Sequence, residues 1–379
     1  MIYFDAAATT LEKPETVRRA ALEAIRGMSS PGRGGHPAAR RAEETAYRCR
    51  SEAARLFGVQ KPENVIFTCN ATHALNIAIR SLVRPDSHVV ISGYEHNAVT
   101  RTLRAIQGVT VTVVDTPLFE PDAAAEEFER AINRGADAVI CNHVSNVFGY
   151  ILPVEQIARS CRSHGVPLIV DASQSAGVVP VHLDALGAAF LAMPGHKGLY
   201  GPQGTGLLIS GREDVQPVLF GGTGSASRLQ DMPEDLPDRL EAGTHNMPGI
   251  AGLLEGIRFV SSAGIERIGR HEQALAALAG HKLRQLPGVR VFASKDPACQ
   301  SGVLSFTVEG RDCEELGAIL GQRGIAVRAG LHCAPLAHRT AGTLETGTVR
   351  LSFSAFNTPG QIDRFAGILR QILRENVTL

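Results

Sequence analysis

No stretch of this 379-residue chain approaches the ~20 consecutive apolar residues of a membrane span, and the start, MIYFDAAATT, has neither the basic region nor the apolar core of a signal peptide. The expectation is a cytoplasmic protein with no membrane partner. Net charge is also missing: 38 basic residues balance 38 acidic ones, so nothing electrostatic draws the chain to nucleic acid or to an anionic surface. A small molecule is the expected partner. The seven cysteines (49, 69, 141, 161, 299, 313 and 333) are odd in number, scattered, and form no CxxC pair, which argues against a disulfide framework or structural zinc. Cys161 to His164, CRSH, has no second pair and reads as packing and surface, so no metal is expected. Internal repeats, low-complexity tracts and a GxxxxGK[ST] loop are absent too. GPQGTG (201–206) precedes a strand pattern instead of following one, which disfavours a nucleotide.

What is present is an ordinary globular composition, 44% hydrophobic and 20% charged, in a chain long enough for two associated domains. Short apolar runs alternate with helical patterns. NVIFTCNATHALNIAIRSL predicts a strand at 64–68 and a helix from about Thr72. Further strands are expected at 88–92, 109–115, 137–144, 166–173, 188–193 and 204–210, with helices at 121–133 and 153–164. This alternation predicts an α/β domain with a mostly parallel sheet. After about residue 250 the pattern changes: helices at 250–262 and 265–285, strands at 288–292 and 302–308, a helix at 313–323, strands at 325–330 and 348–354, and a C-terminal helix. That is a smaller α+β domain. The expected division is 1–248 and 249–379, with the first ~20 residues packing on the small domain. The joint at 220–249 is rich in Gly, Pro and charge, and a loop that long is usually functional.

Ligands of open parallel sheets bind beyond the carboxyl ends of the strands, and nearly every predicted strand here ends in a reactive or hydrogen-bonding side chain. Asn70, Ala71 and Thr72 follow the first, Glu95 and His96 the second, Asn146 the fourth, Asp171 and Gln174 the fifth, His196 and Lys197 the sixth. Each alone has an even chance of being a helix cap or a satisfied core residue; five on one edge are hard to explain that way. CNATHALN would present free N–H groups and a helix dipole to an anion such as phosphate. Asp171 could face a pyridinium nitrogen, and His96 could stack on a ring. Lys197, among glycines in MPGHKGLYGPQG, could form a Schiff base. Phosphate, ring nitrogen and aldehyde together point to pyridoxal 5′-phosphate.

The whole chain resembles the cysteine desulfurase and selenocysteine lyase family, within the class V aminotransferase group of fold-type I pyridoxal phosphate enzymes. The resemblance runs through YFDAAATT, YEHNA, HVSNVFG, VDASQSAG, GHKGLYGPQGTG, EAGTHN, RAGLHCAP and VRLSFSAFNT. It implies that Lys197 carries the cofactor, Asp171 pairs with the pyridine nitrogen and His96 stacks on the ring. Asn146 and Gln174 would bond cofactor or substrate near the ring oxygen. Ala71, Thr72 and His196 would hold the phosphate, joined by Thr244 from the second subunit of a homodimer. Arg350 matches the substrate-carboxylate arginine, a role suited to its bidentate fork, with Arg328 and Asn146 assisting. Two positions depart from the family: Pro194 stands where relatives carry Ser or Thr, and His73 where some have Glu. Cys333, in AVRAGLHCAPLAH, matches the nucleophile, and His332, Arg328 and flexible flanks suit a partly ionised, mobile thiol. The implied reaction takes L-cysteine to L-alanine with the sulfur left on Cys333, then passed to a sulfur-acceptor protein. Selenocysteine lyase, another C–S lyase or epimerase, and a non-catalytic sulfur carrier are the alternatives.

Overall fold

A computed structural model of the chain describes residues 1–32 and 34–375, so the last four residues of the 249–379 stretch lie outside the described residues. β1 (Ile2–Tyr3) precedes α1 (Glu15–Gly27) and α2 (Pro37–Phe57). Alternation follows: β2 (Val65–Thr68), α3 (Ala71–Leu82), β3 (His88–Ser92), α4 (Asn97–Arg104), β4 (Thr110–Val114), α5 (Pro121–Asn133), β5 (Ala138–Asn142), α6 (Val154–His164), β6 (Leu168–Asp171), α7 (Leu183–Leu186), β7 (Phe190–Pro194) and β8 (Gly206–Ser210). The rest of the chain runs α8 (Met247–Ala263), α9 (Ile265–Leu283), β9 (Val289–Phe292), β10 (Val303–Val308), α10 (Cys313–Gln322), β11 (Ile325–Ala326), β12 (Arg328–Gly330), α11 (Pro335–Thr340), β13 (Thr348–Ser352) and α12 (Pro359–Glu375).

Seven strands form one sheet in the order β2-β8-β7-β6-β5-β3-β4. The run from β7 to β4 is parallel, and β8 is antiparallel to both of its neighbours. The expected mostly parallel α/β sheet is what forms. Both faces of this sheet are covered, which is why its strands read as continuous apolar runs. Along β5, Ala138 and Ile140 pack with α3 and α4 on one side. Val139 and Cys141 pack on the other with α2, α5 and α6. The period of two sorts adjacent residues into two cores.

A four-stranded antiparallel sheet, β12-β13-β10-β9, carries the C-terminal part of the chain, with α9, α10 and α12 closing its own core. One expected element divides. The predicted strand over 325–330 becomes β11, which pairs in parallel with β1, and β12, which pairs antiparallel with β13. Two partners in two sheets take its halves, and Val327 is the joint between them. No strand had been expected at residues 2–3, nor helices at 15–27 and 37–57. α2 is amphipathic with an alanine-rich buried side: Ala39, Ala42, Ala46, Ala53 and Ala54 face the core. Among the described residues no helix is long and apolar enough to cross a membrane.

Candidate active site

Because β7, β6, β5 and β3 are parallel, their carboxyl ends share one edge of the sheet, and the loops after them converge. The resulting pocket, with a cavity volume of about 130 Å³, is lined by Asn70, Ala71, Thr72, His96, Asn146, Asp171, Gln174, Pro194, His196 and Lys197, among others. Except for Arg350, Arg328, Cys333 and Thr244, every site residue expected from the sequence lines it.

One wall is the start of α3. Asn70 caps the helix by accepting from His73 N at 2.9 Å, so the first-turn N–H groups of Ala71 and Thr72 face an unpaired helix terminus that favours an anion. Opposite lies the turn after β7. Gly195 N donates to Thr205 O (2.8 Å) and Gly201 N to Gly195 O (2.7 Å), closing a tight loop around Lys197. A Cβ on Gly198 would sit 2.4 Å from Ala176 O, so only glycine lets this loop press against the chain that follows β6. Burial lowers Lys197 to about 8; Arg350 and Arg328 add to the shift, and Asp171 and Asp5 oppose it. The same desolvation lowers His96 and His196 to about 4, so both rings are neutral. The His196 Nδ1 is buried without a partner among the described residues.

Asp171 ends β6, buried, with Oδ1 accepting from Ser173 N at 2.9 Å. Behind it Glu95 is fully buried. Ser92 Oγ lies 2.6 Å from Glu95 Oε1 and 2.7 Å from Asn142 Oδ1. One hydroxyl proton cannot serve both acceptors, so the second contact needs a proton from the carboxyl, and burial indeed pushes Glu95 up to about 8.

The four-stranded sheet supplies the other side. Asn146 joins the two halves of the site, donating through Nδ2 to His332 O (2.8 Å) and accepting Arg350 Nη1 at its own carbonyl (2.8 Å). Arg350 is buried on β13, in register with Arg328 on β12. Arg328 Nη2 lies 3.7 Å from Cys333 Sγ. Cys333 is exposed, stands at φ 57 between β12 and α11, and accepts Asn97 N at its carbonyl (2.8 Å). The expectation for His332 is corrected. Its ring is buried, bonds Thr348 and stacks on His338, and burial lowers it to about 2, so it is no partner for the thiol.

Thr244 is exposed and lines a different pocket of the same chain, with His73, Cys69 and His245. Sequence reasoning missed the part played by the first thirteen residues. Thr10 N and Lys13 Nζ donate to His196 O (3.1 and 3.0 Å), Gln174 Nε2 donates to Ala7 O (3.0 Å), and Asp5 reaches Arg350. An acid and a lysine flanking the small, polar run AAATT were the available signal.

A seven-stranded sheet of this order, with its polar edge covered by a smaller antiparallel sheet, is the fold of the type I pyridoxal phosphate transferases. An apo cysteine desulfurase from Thermococcus onnurineus superposes with a TM-score of 0.90 at 31% identity, over 99% of this chain and 95% of that one. The chain belongs to the class-V aminotransferase family, which matches residues 2–365. Among curated relatives, a probable cysteine desulfurase of Methanothermobacter thermautotrophicus is 32% identical over 98% of this chain and 94% of its own length. Those of Mycolicibacterium paratuberculosis and Mycobacterium leprae are 32% and 33% identical, and the chain spans 55% and 62% of their length.

Proposed function

We propose that the chain is a pyridoxal-phosphate-dependent cysteine desulfurase, a transferase that turns L-cysteine into L-alanine and keeps the sulfur on Cys333 as a persulfide. The observation that carries this reading is an exposed thiol, 3.7 Å from a guanidinium, on the segment whose His332 carbonyl bonds Asn146 of the lysine pocket. A cysteine that merely filled space would be buried.

The donor set fits the cofactor on independent counts. The capped start of α3 and the buried His196 Nδ1, which has no partner among the described residues, suit a phosphate, with Ala71, Thr72 and His196 holding it. Asp171 suits a protonated ring nitrogen, and the neutral His96 ring suits stacking. Pro194 contributes no hydroxyl, which leaves more of the phosphate to the helix terminus and to Thr244 of a second copy in a homodimer. When bound, the cofactor supplies an electrophilic carbon for the substrate amine and a ring that draws electron density from the substrate Cα.

The chain's own groups do the rest. Arg350 grips the substrate carboxylate, assisted by Arg328 and Asn146, because a guanidinium offers paired donors in a fixed plane. Lys197 takes the Cα proton; an amine near 8 has a neutral fraction at pH 7 that an ordinary lysine lacks. The Cys333 sulfur, 3.7 Å from Arg328 Nη2, attacks the substrate sulfur. The substrate C–S bond breaks with its electron pair going to carbon. With proton uptake, L-cysteine and the Cys333 thiol become L-alanine and the Cys333 persulfide. A sulfur-acceptor protein would then clear position 333. Purified protein given L-cysteine should form alanine and, with a reducing thiol present, an equal amount of sulfide. Alanine without sulfide or persulfide would overturn the reading.

A further inference from the structure

Arg350 is about 1% exposed, so each of its donors matters. Nη1 donates to Asn146 O at 2.8 Å and Nη2 to Asp5 Oδ1 at 2.7 Å, while Nε is buried without an acceptor among the described residues. A guanidinium has five N–H groups in a rigid fork, and an unmet donor at this depth is costly unless another molecule supplies its acceptor. Across the β12–β13 ladder stands Arg328, which forms no ion pair among the described residues. Two cations and one carboxylate leave a single positive charge here.

Asp5 is held independently of that arginine. Ala6 N and Ala7 N donate to Ser352 O and Oγ, on the same strand as Arg350, and Ala8 N and Thr9 N donate back to Asp5 O. Further along, Thr10 Oγ1 bonds Lys197 O at 3.2 Å and Lys13 Nζ bonds His196 O. Residues 5–13 are thus a strap from the guanidinium to the lysine turn, anchored at both ends.

We infer that Asp5 is the positioning and selectivity residue of the carboxylate site. It holds the Arg350 fork with its buried Nε donor unpaired among the described residues and cancels one of two positive charges, so that the site accepts one carboxylate, that of an α-amino monocarboxylic acid, and disfavours a dicarboxylic one. This rests on the proposed function, in which Arg350 receives the substrate carboxylate.

Calorimetric titration of the holoenzyme with L-alanine, L-alaninamide and L-aspartate separates the two roles. Asp5→Asn keeps an oxygen acceptor for Nη2 and removes the charge. It should tighten L-alanine about fivefold, tighten L-aspartate by more, and leave L-alaninamide unchanged. Asp5→Ala makes the same charge change but removes the acceptor, and should bind L-alanine about tenfold more weakly than Asp5→Asn. Asp5→Asn indistinguishable from wild type overturns the selectivity role, and Asp5→Ala equal to Asp5→Asn overturns the positioning role. Failure of both variants to fold assigns Asp5 to the framework and overturns the inference. A wild-type holoenzyme that binds no L-alanine overturns the proposed function, and this inference with it.

Discussion

The two lysines on either side of the His196 backbone, Lys13 and Lys197, differ in what they can do. Lys13 and Lys197 are both lowered to about 8 by burial, yet only Lys197 lines the pocket shared with Asp171 and His96. Lys13 already spends its ammonium on Thr10 Oγ1 and His196 O. Lys197→Ala should therefore abolish cofactor attachment and turnover, although a second lysine with a similarly lowered pKa lies close by. Borohydride treatment of the cofactor-loaded variant followed by peptide mass mapping checks this, and a reduced adduct on Lys13 would refute the assignment. At this scale the sequence was informative wherever a polar residue ended an apolar strand: Asp171, His96 and Lys197 were legible for that reason. His332 was misread because adjacency in sequence says nothing about which way a ring turns when two successive residues, at φ 51 and 57, reverse the chain. Asp5 escaped because its partner lies 345 residues away.

Elements carry the pH behaviour. Glu272 on α9 is buried under Tyr200, with Tyr200 Oη 3.5 Å from Oε1, and burial raises it from 4.5 to about 8. A carboxyl neutral in the folded chain and ionised in the unfolded one binds more protons when folded. Stability is then fully present below about 4.5 and falls as pH rises toward 8. Glu272→Gln has no such titration. Its urea midpoint should gain on the wild type progressively from pH 5 to pH 8, by the equivalent of a few kcal/mol. A difference constant across that range would contradict the stated protonation state. Element boundaries were legible to within two or three residues where both faces of a strand were buried, as in β3 and β5. The division of 325–330 was not, because the strand that claims its first half is at the other end of the chain.

At the scale of the whole molecule, the pocket lacks in its own chain the residue that EAGTHN implies for the phosphate: Thr244 lies exposed in a separate pocket. His245 and Arg50 fix that segment through buried Glu241, at 2.6 Å each, so Thr244 is presented on a braced loop. In the proposed homodimer each Thr244 would serve the partner's site, which would account for both facts. Sedimentation should give twice the chain mass, and Thr244→Ala should loosen the cofactor about tenfold or more, the loss of one charge-assisted bond. An active monomer would contradict the arrangement.

The claim that unites residue, strap and sheet edge is that Cys333 is the sulfur acceptor and not a packing residue. The most direct measurement compares wild type and Cys333→Ala, each loaded with cofactor and given L-cysteine, following alanine release and the mass of the peptide containing position 333. The wild type should gain one sulfur atom at position 333 and at none of the other six cysteines. Cys333→Ala should stay yellow and still bind L-cysteine, because Lys197 and Arg350 are untouched. It should form alanine several orders of magnitude more slowly, on the order of 4 kcal/mol of barrier or more. Alanine and sulfide from Cys333→Ala at a rate near the wild type would contradict the account.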